Sequence, residues 1–92
     1  MSKTDAALGR ELMKDELDTT SKYERMADMA DNEGTAEVIR DVADEEKVHT
    51  GEGAAIVAAN DPRAKPAMLE GVKEASEYIP RFQEIFDSDE GL

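Results

Sequence analysis

The stretch Ile39-Arg40-Asp41-Val42-Ala43-Asp44-Glu45-Glu46-Lys47-Val48-His49-Thr50-Gly51-Glu52-Gly53-Ala54-Ala55-Ile56 decides the fold and points to the chemistry. Read in steps of three and four it gives Ile39, Val42, Glu46, His49, Gly53 and Ile56. That is the apolar seam of an amphipathic helix with a carboxylate and an imidazole at its two middle positions. The first half of the chain repeats the pattern. Its seam runs Gly9, Leu12, Glu16, Thr19, Tyr23, Met26 and Ala30, so a second carboxylate lies on a face that otherwise favours burial. An isolated ionised carboxylate in a core costs far more than the net stability of a small domain. Groups placed in this way require a positive partner, and a metal ion is the economical one.

Composition bounds the class. With 92 residues the chain is one small domain, near the lower limit for enclosing a core alone, so self-association is expected. There are 23 Asp and Glu against 11 Lys and Arg, a formal net charge of −12. Such a field repels nucleic acid and anionic membranes and attracts cations. Adaptation of a soluble protein to high salt explains the same excess, and composition alone leaves both readings open. Cysteine is absent, which removes disulfides, thiolate nucleophiles and sulfur-ligated metal centres and leaves oxygen and nitrogen donors. No apolar run is long enough to span a bilayer, and the start Met1-Ser2-Lys3-Thr4-Asp5 is no signal peptide. A cytoplasmic protein with neither nucleic-acid nor membrane partner is the expectation.

The organisation reads as an all-α antiparallel two-helix hairpin followed by a short third helix and a tail. Thr4 or Asp5 can cap a first helix that runs to about Asp31 without internal proline. Asn32-Glu33-Gly34 breaks it, and Thr35 can cap a second helix that carries Glu37 in its first turn and ends at Asn60-Asp61-Pro62. Each helix is then about 25 residues, or about 38 Å long. Gly51 and Gly53 each weaken the second helix by about 1 kcal/mol relative to alanine, and Gly53, on the seam, marks a close approach of another helix. Pro66 suits the first turn of a third helix over about Ala67 to Tyr78, with Met68, Leu69 and Val72 on its apolar side and Pro80 as its stop. Residues 1–78 thus form the structured domain. Residues 79–92 form a tail in which Phe82, Ile85 and Phe86 make one amphipathic turn before an acidic end.

Counting ligands gives the chemistry. Carboxylate-bridged di-iron sites in four-helix bundles take one Glu from each of two helices and a Glu-x-x-His pair from each of the other two. This chain supplies half of that set, Glu16 from one helix and Glu46 with His49 from the next. A two-fold dimer of hairpins makes the four helices, doubles the ligands and places the metals near the symmetry axis. Four carboxylates then balance two Fe²⁺. Oxygen-rich ligation with a few imidazoles suits iron or manganese, and zinc also binds such donors. The methionines Met13, Met26, Met29 and Met68 read as packing, and Tyr23 as a core aromatic whose hydroxyl reaches toward the site. Glu52, three residues beyond His49, either lines an iron route or faces water.

The runs Glu16-Leu17-Asp18-Thr19-Thr20-Ser21-Lys22-Tyr23-Glu24-Arg25-Met26-Ala27 and Asp41-Val42-Ala43-Asp44-Glu45-Glu46-Lys47-Val48-His49-Thr50-Gly51-Glu52 resemble the encapsulated ferritins, especially the archaeal type. The spacings that carry the resemblance are seven residues from Glu16 to Tyr23, twenty-three from Tyr23 to Glu46 and three from Glu46 to His49. The resemblance implies a ferroxidase that dimerises into a ferritin-like four-helix bundle around a di-iron site. It also implies assembly of dimers into an open ring, commonly of five, housed inside an encapsulin shell that stores the ferric product. By position, Glu16, Glu46 and His49 match the family's iron ligands and Tyr23 a tyrosine beside them. Asp15 and Asp18 fall where the family carries acidic residues, often glutamate, of an outer site through which metal enters. The end of the chain lacks the Gly-Ser-Leu type of shell-docking peptide. Either Ile79 to Phe86 is a divergent docking segment or the sequence is the amino-terminal part of a chain fused to its shell protein. Rubrerythrins share two of the spacings, so a peroxide-scavenging di-iron protein is the rival enzymatic reading. A non-enzymatic helical adaptor is the rival outside catalysis.

Overall fold

In the computed structural model, which describes residues 1–79, Ser2 opens the first helix. Its hydroxyl accepts the amide of Asp5 at 3.1 Å, and α1 runs Lys3–Met29. Thr4 and Asp5, the expected caps, lie inside the first turn instead, because a serine two residues earlier already satisfies a free amide there. The helix also stops before Asp31, at a bond from the Ala30 amide to Ala27 O. α2 covers Glu33–Asn60 and is capped by Asn32, whose Oδ1 accepts from Thr35 N at 3.1 Å. Thr35 is thus the donor and not the cap. Glu33 and Gly34 belong to the helix, and Glu33, not Glu37, is the anion of its first turn. The connection is so short that α1 and α2 must run antiparallel. Ser2 N donating to Asn60 Oδ1 at 3.2 Å ties the far end of the hairpin.

The line of contact between α1 and α2 is built from small side chains. Ala6, Gly9, Thr20 and Ala27 are buried on α1, and Ala36, Ala43, Gly53 and Val57 on α2. This line is rotated from the seams expected from sequence. Leu12, Thr19, Tyr23 and Ile39 are half-buried, whereas Met26, Val42 and Ile56 are exposed. Small residues win the centre because they let two backbones approach closely, and the large ones are displaced to one side. Gly53 is the expected close approach: a Cβ there would lie 2.7 Å from Met13 Cγ and 3.2 Å from the Gly9 carbonyl oxygen. Gly9 is tighter still on its backbone side, with Val57 N 3.0 Å from the position of a Cβ, while Gly51 has nothing within 4 Å.

Those distances predict opposite signs for one substitution. Gly51→Ala should stabilise by about 1 kcal/mol through helix propensity and raise the thermal midpoint by about 4–8 °C. Gly9→Ala gains the same propensity but forces backbone apart, an overpacking cost of about 1–3 kcal/mol that leaves it neutral or destabilised. Circular-dichroism melting curves of the two variants decide it, and a comparable rise in both would contradict the close packing.

Exposed ion pairs cross the hairpin near its connection, Arg40 to Asp28 at 4.0 Å and Lys47 to Glu24 at 3.4 Å. Exposed pairs are screened by solvent and add little stability, so they mainly fix register. The hydrogen bond to Asp44 at 2.9 Å, that residue's charge and then Glu24 hold the Lys47 ammonium above its ordinary pKa.

A second unit begins at Pro62. Within it α3 spans Ala64–Ser76, starting three residues and ending two residues earlier than the sequence suggests. Pro66 occupies the third helical position, where a missing amide is still harmless. A turn follows, with Tyr78 N and Ile79 N both donating to Ala75 O. Met68, Leu69, Tyr78 and Ile79 are exposed and Val72 is half-buried. Pro80, the expected stop, the amphipathic turn of Phe82, Ile85 and Phe86 and the acidic end lie outside the described residues. Among those described there are three helices and no strand, and no helix is long and apolar enough to cross a membrane.

Candidate metal centre

Glu16, at the middle of α1, faces the middle of α2, where one helical turn carries Glu46 and His49. Each of the three offers a donor atom, and these atoms lie within 4.8 Å of one another. His49 Nδ1 stands 3.4 Å from Glu46 Oε2 and 3.5 Å from Glu16 Oε2. The two glutamates are well covered, their side chains 18% and 16% exposed, while the His49 side chain is 49% exposed. The imidazole therefore forms the outer wall of the cluster and the carboxylates its floor.

Glu16 Oε2 is buried and has no hydrogen-bond partner. A buried carboxylate oxygen left without a donor is costly, and here it shares one imidazole nitrogen with a second carboxylate. Two anions converging on a single nitrogen are a strained arrangement for the protein alone and a good one for a divalent cation. The donor set of two carboxylate oxygens and one imidazole nitrogen fits Fe²⁺ or Mn²⁺ and tolerates zinc. Replacing Glu16 by glutamine neutralises one of the two carboxylates, and with it the repulsion between them, while keeping shape. The metal-free Glu16→Gln protein should melt higher than the parent by about 4–8 °C for each kcal/mol relieved, and should lose any further rise on adding Mn²⁺. A lower metal-free midpoint would mean that the carboxylate is held by interactions other than a cation.

The remaining residues singled out in the sequence are placed differently. Tyr23 is half-buried, two helical turns beyond Glu16 on the same side of α1. Asp15 and Asp18 are exposed on α1 beside Glu16 and take no part in the convergence, as is Glu52 on α2. Two residues that the seam pattern overlooked lie against the backbone of the two glutamates. Thr20 Oγ1 donates to Glu16 O at 2.7 Å, and Thr50 Oγ1 to Glu46 O at 3.1 Å. Their signal in the sequence is a Glu-x-x-x-Thr spacing present on both helices.

The cluster opens onto an apolar side of the hairpin. Val42, His49 and Ile56 recur every seven residues on α2, as do Leu12, Thr19 and Met26 on α1. Both stripes turn away from the buried line in the same rotational sense, which in antiparallel helices puts them on one side. Leu8 and Val38 extend that side and are exposed.

Comparison with known proteins gives one informative similarity. The chain is 37% identical over 62 residues to a ferritin-like-encapsulin shell fusion protein of Pyrococcus furiosus. The similar region is 67% of this chain and 18% of that protein, so the chain spans under a fifth of its relative. No protein-family model matches the chain. No solved structure matches it either.

Proposed function

We propose that the chain is a ferritin-like ferroxidase whose catalytic centre is completed by a second copy. The observation that carries this is the convergence of Glu16, Glu46 and His49, with a buried, unpartnered oxygen aimed into it. One hairpin provides half of a Glu, Glu-x-x-His set, and the apolar side around His49 is where the other half would pack. In that dimer two symmetry-related sets would hold two Fe²⁺ ions, the substrate, near one axis. Two Fe²⁺ supply two electrons, and dioxygen takes them with two protons to give two Fe³⁺ and hydrogen peroxide.

The roles of the side chains follow from their positions. Glu16 and Glu46 would neutralise and anchor the cation, and His49 would bind through Nδ1 once that nitrogen exchanges its contacts with the carboxylates for the metal. Tyr23, half-buried two helical turns from Glu16 on the same side of α1, would stand beside the site as a tyrosine whose hydroxyl reaches toward it. Asp15 and Asp18, exposed beside Glu16, would gather Fe²⁺ from solution. The name of the relative, a ferritin-like part joined to an encapsulin shell, supports such a shell as the setting. The shell would receive the ferric product, and dimers would assemble there into a ring.

The reading is tested by oxygen uptake. Adding Fe²⁺ to metal-free protein in air should produce consumption far faster than in buffer, saturating with iron. Oxidation no faster than the buffer blank contradicts it, and iron oxidation that requires hydrogen peroxide in place of dioxygen assigns the site to the rubrerythrin-like reaction.

A further inference from the structure

Both glutamates of the cluster are followed four residues later by a threonine whose hydroxyl turns back onto the glutamate's own carbonyl. The bonds are 2.7 Å at Thr20 and 3.1 Å at Thr50. Each carbonyl lies where the helix also directs the amide of the threonine, so it serves two donors. Such sharing tilts the carbonyl outward and bends the helix locally. The two bonded threonines lie one turn beyond each glutamate. Because α1 and α2 are antiparallel, they bracket the ligand layer from opposite ends.

We infer that Thr20 and Thr50 are positioning residues, which set the local direction of α1 and α2 so that the carboxylates of Glu16 and Glu46 converge on one cation. This rests on the reading of Glu16, Glu46 and His49 as ligands. Self-satisfaction of a buried hydroxyl would account for Thr20, which is 8% exposed. It does not account for Thr50, which is only half-buried and has water within reach. The same bond at the same offset on both ligand-bearing helices is what distinguishes a shared role from a local convenience. Both hydroxyls donate to a glutamate's own carbonyl, so each acts on its carboxylate through the helix.

Thr20→Val and Thr50→Val remove the hydroxyl and keep the branched shape, while Thr20→Ser and Thr50→Ser keep the hydroxyl and remove the methyl. The readout is titration of the metal-free protein with Co²⁺, followed by its visible absorption, beside far-ultraviolet circular dichroism. Each valine variant should bind Co²⁺ about tenfold or more weakly, as loss of outer supports of metal ligands generally does, and with an altered band shape. Each serine variant should bind as the parent does. Should Thr20→Val fail to fold, Thr50→Val decides by the same criteria, its side chain being only half-buried. Valine variants that bind Co²⁺ with the parent's affinity and spectrum overturn the positioning role alone. A parent protein that takes up no Co²⁺ overturns the ligand assignment and this inference with it.

Discussion

His49→Ala is expected to leave the helical signal of the protein intact and to lower its rate of Fe²⁺ oxidation by more than about a hundredfold. The helices survive because the His49 side chain is half exposed, and its loss opens no cavity in the line of small residues that joins α1 to α2. Activity does not survive, since even partners one shell outside a metal site typically contribute 10- to 100-fold to affinity, and a ligand contributes more. Glu46→Ala should be at least as severe. It removes a floor carboxylate from both halves of the proposed dimer, and the two Fe²⁺ ions are no longer held within reach of one dioxygen. Stopped-flow oxidation with matched circular dichroism checks both variants. Parental rates in either would make these residues structural.

The next largest effect concerns residues that never touch iron. Val42 and Ile56 are 37% and 39% exposed and flank His49 at seven-residue intervals. Val42→Asp and Ile56→Asp place a charge on the side of the hairpin where a second copy would pack, and the two-fold axis would double it. Like charges brought together in an interface cost several kcal/mol. A loss of 2.8 kcal/mol weakens association by about a hundredfold. Each variant should therefore sediment as a folded monomer at concentrations where the parent is a dimer. Each should also lose rapid Fe²⁺ oxidation although Glu16, Glu46 and His49 are all retained. Dimeric variants with full activity would place the interface elsewhere.

Much of this was legible in the sequence because carboxylates at apolar positions are conspicuous. Glu16, Glu46 and His49 stand out against Leu12, Val42 and Ile56, and the geometry brings those three together. The helix ends were less legible. Asn32 and Thr35 are both competent caps three residues apart, and only the bond from Thr35 N to Asn32 Oδ1 shows which one acts. Of the residues buried on α1 and α2, Gly9 and Gly53 belong to the seams read from the sequence, and most of the others sit one position around each helix. Hydrophobic periodicity weights large side chains, whereas this hairpin packs on Ala6, Gly9, Ala27, Ala36, Ala43 and Gly53, whose smallness permits the approach. The large residues that dominate the pattern mark a different surface, the one on which the proposed second copy would pack. Thr20 and Thr50 were hidden for a related reason, since a hydroxyl bonded to its own helix leaves no trace in a polar or apolar pattern.

Native mass spectrometry of the protein titrated with Fe²⁺ under anaerobic conditions tests the shared centre most directly, since it counts chains and metal ions in the same particle. Even-numbered assemblies that take up one iron per chain, with Glu46→Ala and His49→Ala taking up none, are the expected result. Monomers that bind iron without associating, or assemblies that bind none, would contradict it.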